Sequence, residues 1–273
     1  MRSSVADYQV IRALPSTGAG QSRYLCRPPQ RLDQDDGHVM ITELGVDAAG
    51  WRELASALSR LAAVGYARSL ALIEVGPDLD PGGAGVYLAS ESAPGGSVAR
   101  PTTPLDPVAQ TRAVAEAARG AHALHETGIA HGSIDGRSIL LTERGAVLAP
   151  PVLGGPPGAV ARMTDWRDVV VLDPAILRGE QPTRSSDVWA LAATLHGLLS
   201  SKPLYPDIDR DPNVTVVQRI LFTRPDIDRT LPGGLVETLS ACLADDPSDR
   251  LLSAKELADR LAVGGVAVGG VAQ

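Results

Sequence analysis

Short β-prone runs open the chain. Tyr8 to Leu14, Arg23 to Arg27 and His38 to Leu44 are separated by a Gly/Ser turn and by the polar loop Arg31 to Gly37, the punctuation expected between strands. The period then changes. Trp51, Leu54, Ala55, Leu58, Leu61 and Ala62 recur at helical spacing on one face. Ser69 to Val75 and Gly85 to Ser90 return to strands on either side of the turn Pro77 to Gly83. The stretch up to Ser90 therefore reads β-β-β-α-β-β.

From Asp106 the pattern is helical. Asp106-Pro107 sets a capping residue before a proline at the first helical position, and predicts a helix to His125 that stops before Gly128. Ile139 to Leu141 and Ala146 to Leu148 flank Thr142 to Gly145 as a small hairpin, and Pro150 to Val171 has no regular pattern. The strongest helix starts at Ser185 or Ser186. Val188, Leu191, Ala192, Leu195, Leu198 and Leu199 share a face, while Trp189, Ala190 and Ala193 make the other sides apolar, as in a helix buried all round. Further helices fit Asp211 to Phe222, Gly234 to Ala244 and Ser253 to Ala262.

Composition narrows the class. A chain of 273 residues, 44% hydrophobic and 21% charged, can bury a core as one large domain or two lobes. With 32 acidic against 25 basic residues and a net charge of −7, a broad grip on nucleic acid is disfavoured, and there is no polybasic arm for a membrane surface. Met1 to Val10 lacks the apolar run of a secretory signal and no window is long enough to span a bilayer, so direct membrane insertion is not expected. The expectation is a cytoplasmic chain, either free or the cytosolic domain of a longer membrane protein, with a flexible Gly/Val/Ala tail or linker at 263–273. Cys26 and Cys242 have no metal or disulfide spacing and read as ordinary thiols. Lysine occurs only at Lys202 and Lys255.

Several stretches carry a resemblance. Glu91-Ser-Ala-Pro-Gly-Gly-Ser97 looks like a kinase hinge, and Ala121-His-Ala-Leu-His-Glu-Thr-Gly-Ile-Ala-His131 like the helix entering a catalytic loop. Asp173-Pro174 followed by Ser185-Ser-Asp187-Val-Trp-Ala-Leu191 resembles the end of an activation segment entering the central helix. Cys242-Leu-Ala-Asp-Asp-Pro-Ser-Asp-Arg250 resembles the closing pattern of bacterial, actinobacterial-type serine/threonine protein kinases. The order is right over residues 8–262. The resemblance implies an α+β, two-lobed protein-kinase-like fold, with a small β-rich N-lobe holding one main helix at 8–92 and a larger helical C-lobe at 93–262.

That family's chemistry requires a strand lysine, a helix glutamate, a loop aspartate as base, and an Asn and an Asp for magnesium. At these positions the chain carries Thr42, Leu54, Ser133, Ser138 and Pro150. Glu53 lies roughly 100° from the face of Leu54, Gly132 replaces the loop arginine, and Asp135 replaces the loop lysine. Pro15 and Gln21 degrade the glycine loop around Gly18 and Gly20. His131, Asp187 and Arg250 are expected to keep structural roles. Arg250's usual glutamate partner falls on Ala175, so that ion pair is lost or re-made with another acid.

The resemblance thus implies a degraded pseudokinase that is not an enzyme, holds no cofactor or metal, and acts as a protein-interaction or signalling scaffold. The alternatives are an enzyme of altered mechanism, with Asp135 as displaced base and Asp165 or Asp168 on a metal, and a nucleotide sensor that binds ATP without metal beside Glu91. His122 and His125, three apart, read as packing residues because no third ligand is identifiable, and Trp51, Trp166 and Trp189 read as core. Thr164 is the hydroxyl residue of the segment 150–174 and a candidate phosphosite for an active kinase, creating a site for a phosphothreonine reader. Val216 and Ile220, with Ile208 before them, are the candidate surface for a protein partner or a homodimer, on the expectation that Val214, Val217 and Leu221 face the core.

Overall fold

The computed structural model describes residues 3–14, 21–32, 37–45, 72–78, 85–149, 169–206, 213–251 and 253–268, and the statements below concern these. The chain forms two compact units, Met1–Tyr66 with Leu70–Pro94, and Ala67–Ser69 with Gly95–Gln273.

In the first unit β1 (Ser4–Val5), β2 (Tyr8–Leu14), β3 (Gln21–Arg27), β4 (Val39–Gly45), β5 (Leu72–Asp78) and β6 (Gly85–Glu91) make an antiparallel sheet in the order β1-β2-β3-β4-β6-β5. Alternation sets its faces. Val39 and Ile41 of β4 bury with Val5, Tyr8, Cys26, Tyr87 and Ala89 in one cluster. Tyr8 and Tyr87 meet edge to face at 5.6 Å, and both hydroxyls donate to Glu74, at 2.9 and 2.8 Å. Arg31 pairs with Glu74 and Asp7 at 2.7 Å each, so the carboxylate that satisfies the two tyrosines is itself neutralised. The helix expected at 51–62, with Leu54 and Trp51, lies outside the described residues.

The second unit is built on helices, with a small antiparallel sheet of β7 (Gly96–Ser97), β8 (Arg100–Pro101), β9 (Ile139–Thr142) and β10 (Gly145–Leu148) in the order β10-β9-β7-β8. Helix α1 (Pro107–Glu126) starts where Asp106 accepts from the Ala109 amide. Its alanines, Ala113, Ala117, Ala118 and Ala121, are buried and let it pack closely on its neighbours. A single turn, α2 (Pro174–Leu177), precedes the central helix α3 (Arg184–Leu199). Every residue of α3 from Ser186 to His196 is buried, as the all-round apolar pattern requires. Its start lies one residue before the serines: Thr183 is the cap, in a reciprocal pair with Ser186. Helices α4 (Asn213–Phe222), α5 (Gly233–Cys242) and α6 (Ala254–Val268) complete the unit.

Two expectations are corrected here. The face of Val216 and Ile220 is not a surface: these residues are 0% and 1% exposed within the main core cluster, while Val217 flanks it half-buried. At about 100° per residue the apolar arc of α4 runs from Val216 through Ile220 and Val217 to Leu221. Such a broad arc does not choose its inward edge, and packing chose the Val216 edge. Phe222, at the helix end, is 86% exposed. Ile208 and Val214's side chain lie outside the described residues. The other correction concerns the end of the last helix: α6 does not stop at Ala262 and runs through Gly264 and Gly265 to Val268, with no proline following to end it.

Candidate functional site

Asp187 organises the loop that follows α1. Its place in the first turn of α3 is fixed by the Thr183 cap, and it is 1% exposed. One carboxylate oxygen accepts from the His131 amide at 2.6 Å and from His125 Nε2 at 2.8 Å, and the other accepts from the Gly132 amide at 2.8 Å. His125 is thus a ligand of this carboxylate and no part of a metal pair with His122. Among the described residues no group of three or more His, Cys, Asp or Glu side chains could hold a metal ion.

Gly132 has φ of +74°, and a Cβ there would lie 2.8 Å from Pro182. At this point the loop turns through a backbone conformation and a space that suit glycine. His131 is buried, and its Nε2–H donates to the Ala149 carbonyl at 3.0 Å. Burial holds its pKa below the ordinary histidine value, against the pull of Asp187. Its Nδ1 faces Ser133, whose hydroxyl and amide both lie at 3.4 Å.

Asp135 accepts from the amides of Arg137 and Ser138 at 2.8 Å each, and its other oxygen is paired with the Arg137 guanidinium at 2.7 Å. This is the carboxylate of a turn, held in place by three partners. Ser138 is 4% exposed; its Oγ accepts from the Asp135 amide and donates to the Asp135 carbonyl, both at 2.9 Å. Both roles of that hydroxyl are taken within the loop.

Arg250 has found a different acid. Its guanidinium is paired two-pronged with Asp173, at 2.5 and 3.2 Å, and both side chains are almost fully buried. Nε donates to the Ala244 carbonyl at 2.8 Å, and the guanidinium lies 4.7 Å from the Trp189 ring centroid. Asp173 also caps α2 through the Ala175 amide. The pair is re-made two residues before Ala175, joining the segment ahead of α2 to the stretch between α5 and α6.

In the first unit Thr42 is half-buried in β4, opposite Arg23 on β3 and Leu88 on β6. Arg23, 8% exposed, has no signal in the sequence, where neither lysine nor the third strand points to it. The register shows it as a cation one strand away. Leu54, Pro150, Thr164, Asp165 and Asp168 lie outside the described residues.

The structure matches the crystal structure of the Mycobacterium tuberculosis PknI kinase domain with a TM-score of 0.66, over 96% of this chain and 99% of that one, at 20% identity. The fold is that of a protein-kinase domain. Among curated relatives, mouse mitogen-activated protein kinase kinase kinase 1 is 26% identical over 142 residues, 48% of this chain and 10% of that protein. Mitogen-activated protein kinase kinase kinase 17 of Arabidopsis thaliana is 23% identical over 149 residues, 48% of this chain and 37% of that protein. The cytokinesis protein sepH of Aspergillus niger is 26% identical over 140 residues, 49% of this chain and 10% of that protein. The chain thus spans a small part of the length of these relatives. No family model matches it.

These likenesses correct one expectation from the sequence. The resemblance, with the groups expected to be absent, implies a chain that is not an enzyme. The matching structure is a kinase domain and the mouse and Arabidopsis relatives bear the names of kinases, which overturns that exclusion. No helix among the described residues is long and apolar enough to cross a membrane.

Proposed function

We propose that this chain is a kinase-fold signalling domain that works by holding a protein partner, with any nucleotide chemistry running through groups other than the family's usual base and magnesium ligands. The observation that carries this reading is the state of Ser138. At the position of the magnesium-binding side chain stands a hydroxyl that is buried and has both hydrogen-bonding roles committed to Asp135. A hard cation is held best by charged or exposed oxygens, whereas this one is neutral, buried and already bonded to the Asp135 backbone as donor and as acceptor. Meanwhile the loop's scaffold is fully hydrogen-bonded to Asp187. The fold's shape is kept while the groups that would act on magnesium nucleotide are changed.

The class of partner is a protein, either an active kinase or a reader of phosphothreonine, in a cytoplasmic setting. Calorimetry with ATP tests the site: affinity with and without magnesium should agree within about threefold. Tightening of tenfold or more, about 1.4 kcal/mol, would overturn the reading.

A second reading, a nucleotide sensor, is favoured by Arg23. It stands opposite Thr42, where the usual lysine is missing, and can supply a positive charge to phosphates. Arg23→Gln should then weaken ATP binding, and Thr42→Lys in that background should restore it. Equal binding by all three proteins would remove this reading.

A further inference from the structure

Ser133 lies beside a histidine whose tautomer is fixed. A carbonyl can only accept, so the 3.0 Å contact from Nε2 to Ala149 places the proton on Nε2 and leaves Nδ1 with a lone pair. Burial keeps the ring neutral near neutral pH. The Ser133 hydroxyl shares that lone pair with the Ser133 amide, each at 3.4 Å, just beyond the reach of a formed nucleophile–base hydrogen bond and within the looser separations found without substrate. The ring is held by its bond to the Ala149 carbonyl, and the backbone beneath it by Asp187, which accepts from the His131 and Gly132 amides. Ser133 is half-buried, open enough to be approached. A nucleophile, a base and a carbonyl that orients the base are thus brought together.

We propose that Ser133 is a nucleophile with His131 as its general base, and that it accepts a phosphoryl group from a nucleoside triphosphate. Its Oγ forms a bond to the γ-phosphorus as the bond from that phosphorus to the bridging oxygen breaks. The hydroxyl proton passes to Nδ1 of His131, and the nucleoside diphosphate leaves with the electron pair. The imidazolium so formed faces the carboxylates of Asp187 and Asp135, with His125 beside them, and returns its proton to water. The donor's identity rests on the kinase-fold reading above, whereas the serine's reactivity does not.

Two probes separate these parts. A fluorophosphonate ester reacts with a serine nucleophile by loss of fluoride and needs no nucleotide site. It should label Ser133 about a hundredfold faster than the exposed serines, mapped by peptide mass spectrometry, with the rate falling as pH drops through the titration of His131. Ser133→Ala should abolish that label, and His131→Gln, checked for folding by circular dichroism, should slow it to the background rate. ATP with magnesium should place one phosphate on Ser133 of the wild-type chain. Labelling no faster than at other serines overturns the nucleophile. Labelling by the fluorophosphonate without phosphate from ATP overturns the nucleotide as donor. Neither result bears on the magnesium test of the proposed function.

Discussion

Removing the charge of Asp173 should show how much the relocated ion pair holds. In the wild type the carboxylate and the Arg250 guanidinium are 2% and 1% exposed and joined by two hydrogen bonds. Asp173→Asn keeps a side-chain oxygen to cap the Ala175 amide and leaves the guanidinium buried without its counter-charge. Breaking a buried pair from one side costs about 3–5 kcal/mol, a large share of the roughly 5–15 kcal/mol that holds a domain together. Asp173→Ala should cost about 1 kcal/mol more, because the cap at α2 goes as well. Arg250→Met also loses the Trp189 ring contact and the bond to the Ala244 carbonyl. The double variant Asp173→Asn, Arg250→Met should be more stable than the sum of the single losses predicts, by about 2 kcal/mol or more, since neither charge is then stranded. Urea unfolding at pH 7, followed by circular dichroism, gives the midpoints and slopes. A loss under about 1 kcal/mol for Asp173→Asn, or a double variant equal to the sum, would refute the reasoning.

Acid should destabilise the chain before its carboxylates titrate. His131 and His196 are held neutral by burial, and His196 Nε2 accepts from the Asp228 amide at 3.1 Å. The unfolded chain takes up these protons near pH 6.5, so their stabilisation is complete above that value and falls as pH drops toward the lower folded values, by up to about 1.4 kcal/mol per unit for each histidine; a urea midpoint unchanged between pH 7.5 and 5.5 would contradict this. Gly132→Ala should cost about 2 kcal/mol or more from positive φ and the Pro182 contact, measured by the same unfolding curves, and a loss under about 0.5 kcal/mol would show that the turn relaxes. Val216→Asp should leave the chain unfolded or at least about 3 kcal/mol less stable, as read by thermal melting, whereas Phe222→Asp should lie within about 0.5 kcal/mol of wild type. Thr183→Ala should cost about 1 kcal/mol through the lost cap of α3, and a wild-type urea midpoint would remove the cap from the account.

Much of the fold was legible because its signals are local. Asp106-Pro107 marks the start of α1, the β-prone runs 38–44 and 85–90 mark two strands, and the apolar surround of α3 marks a helix with no wet side. The errors arose where a choice depends on distant atoms. Ser185 and Ser186 look as good a cap as Thr183, and only the hydrogen bonds of the first turn separate them. Periodicity showed that α4 is broadly apolar but not which edge meets the core. Counting positions from a pattern led to Ala175 as the failed partner of Arg250. A two-residue displacement along a turn brought Asp173 to the same guanidinium, and that depends on reach in space. Arg23 was invisible for a related reason, since cross-strand register is fixed by pairing and not by sequence distance. At Ser133 and Ser138 the resemblance offers only an expectation of which groups are replaced. That one hydroxyl is committed and the other faces a lone pair required coordinates.

The Asp187 clamp takes hold of main-chain amides and of His125, and it makes no bond to the side chain at 133. The loop's fastening is therefore separate from the group it presents, so the identity of that group can change by substitution without refitting the mount. A carboxylate, an amide or a thiol placed at 133 would be delivered to the same point by the same backbone. In a chain organised this way the gain and loss of a reactive group are single-step events, and the scaffold outlasts whichever chemistry it carries.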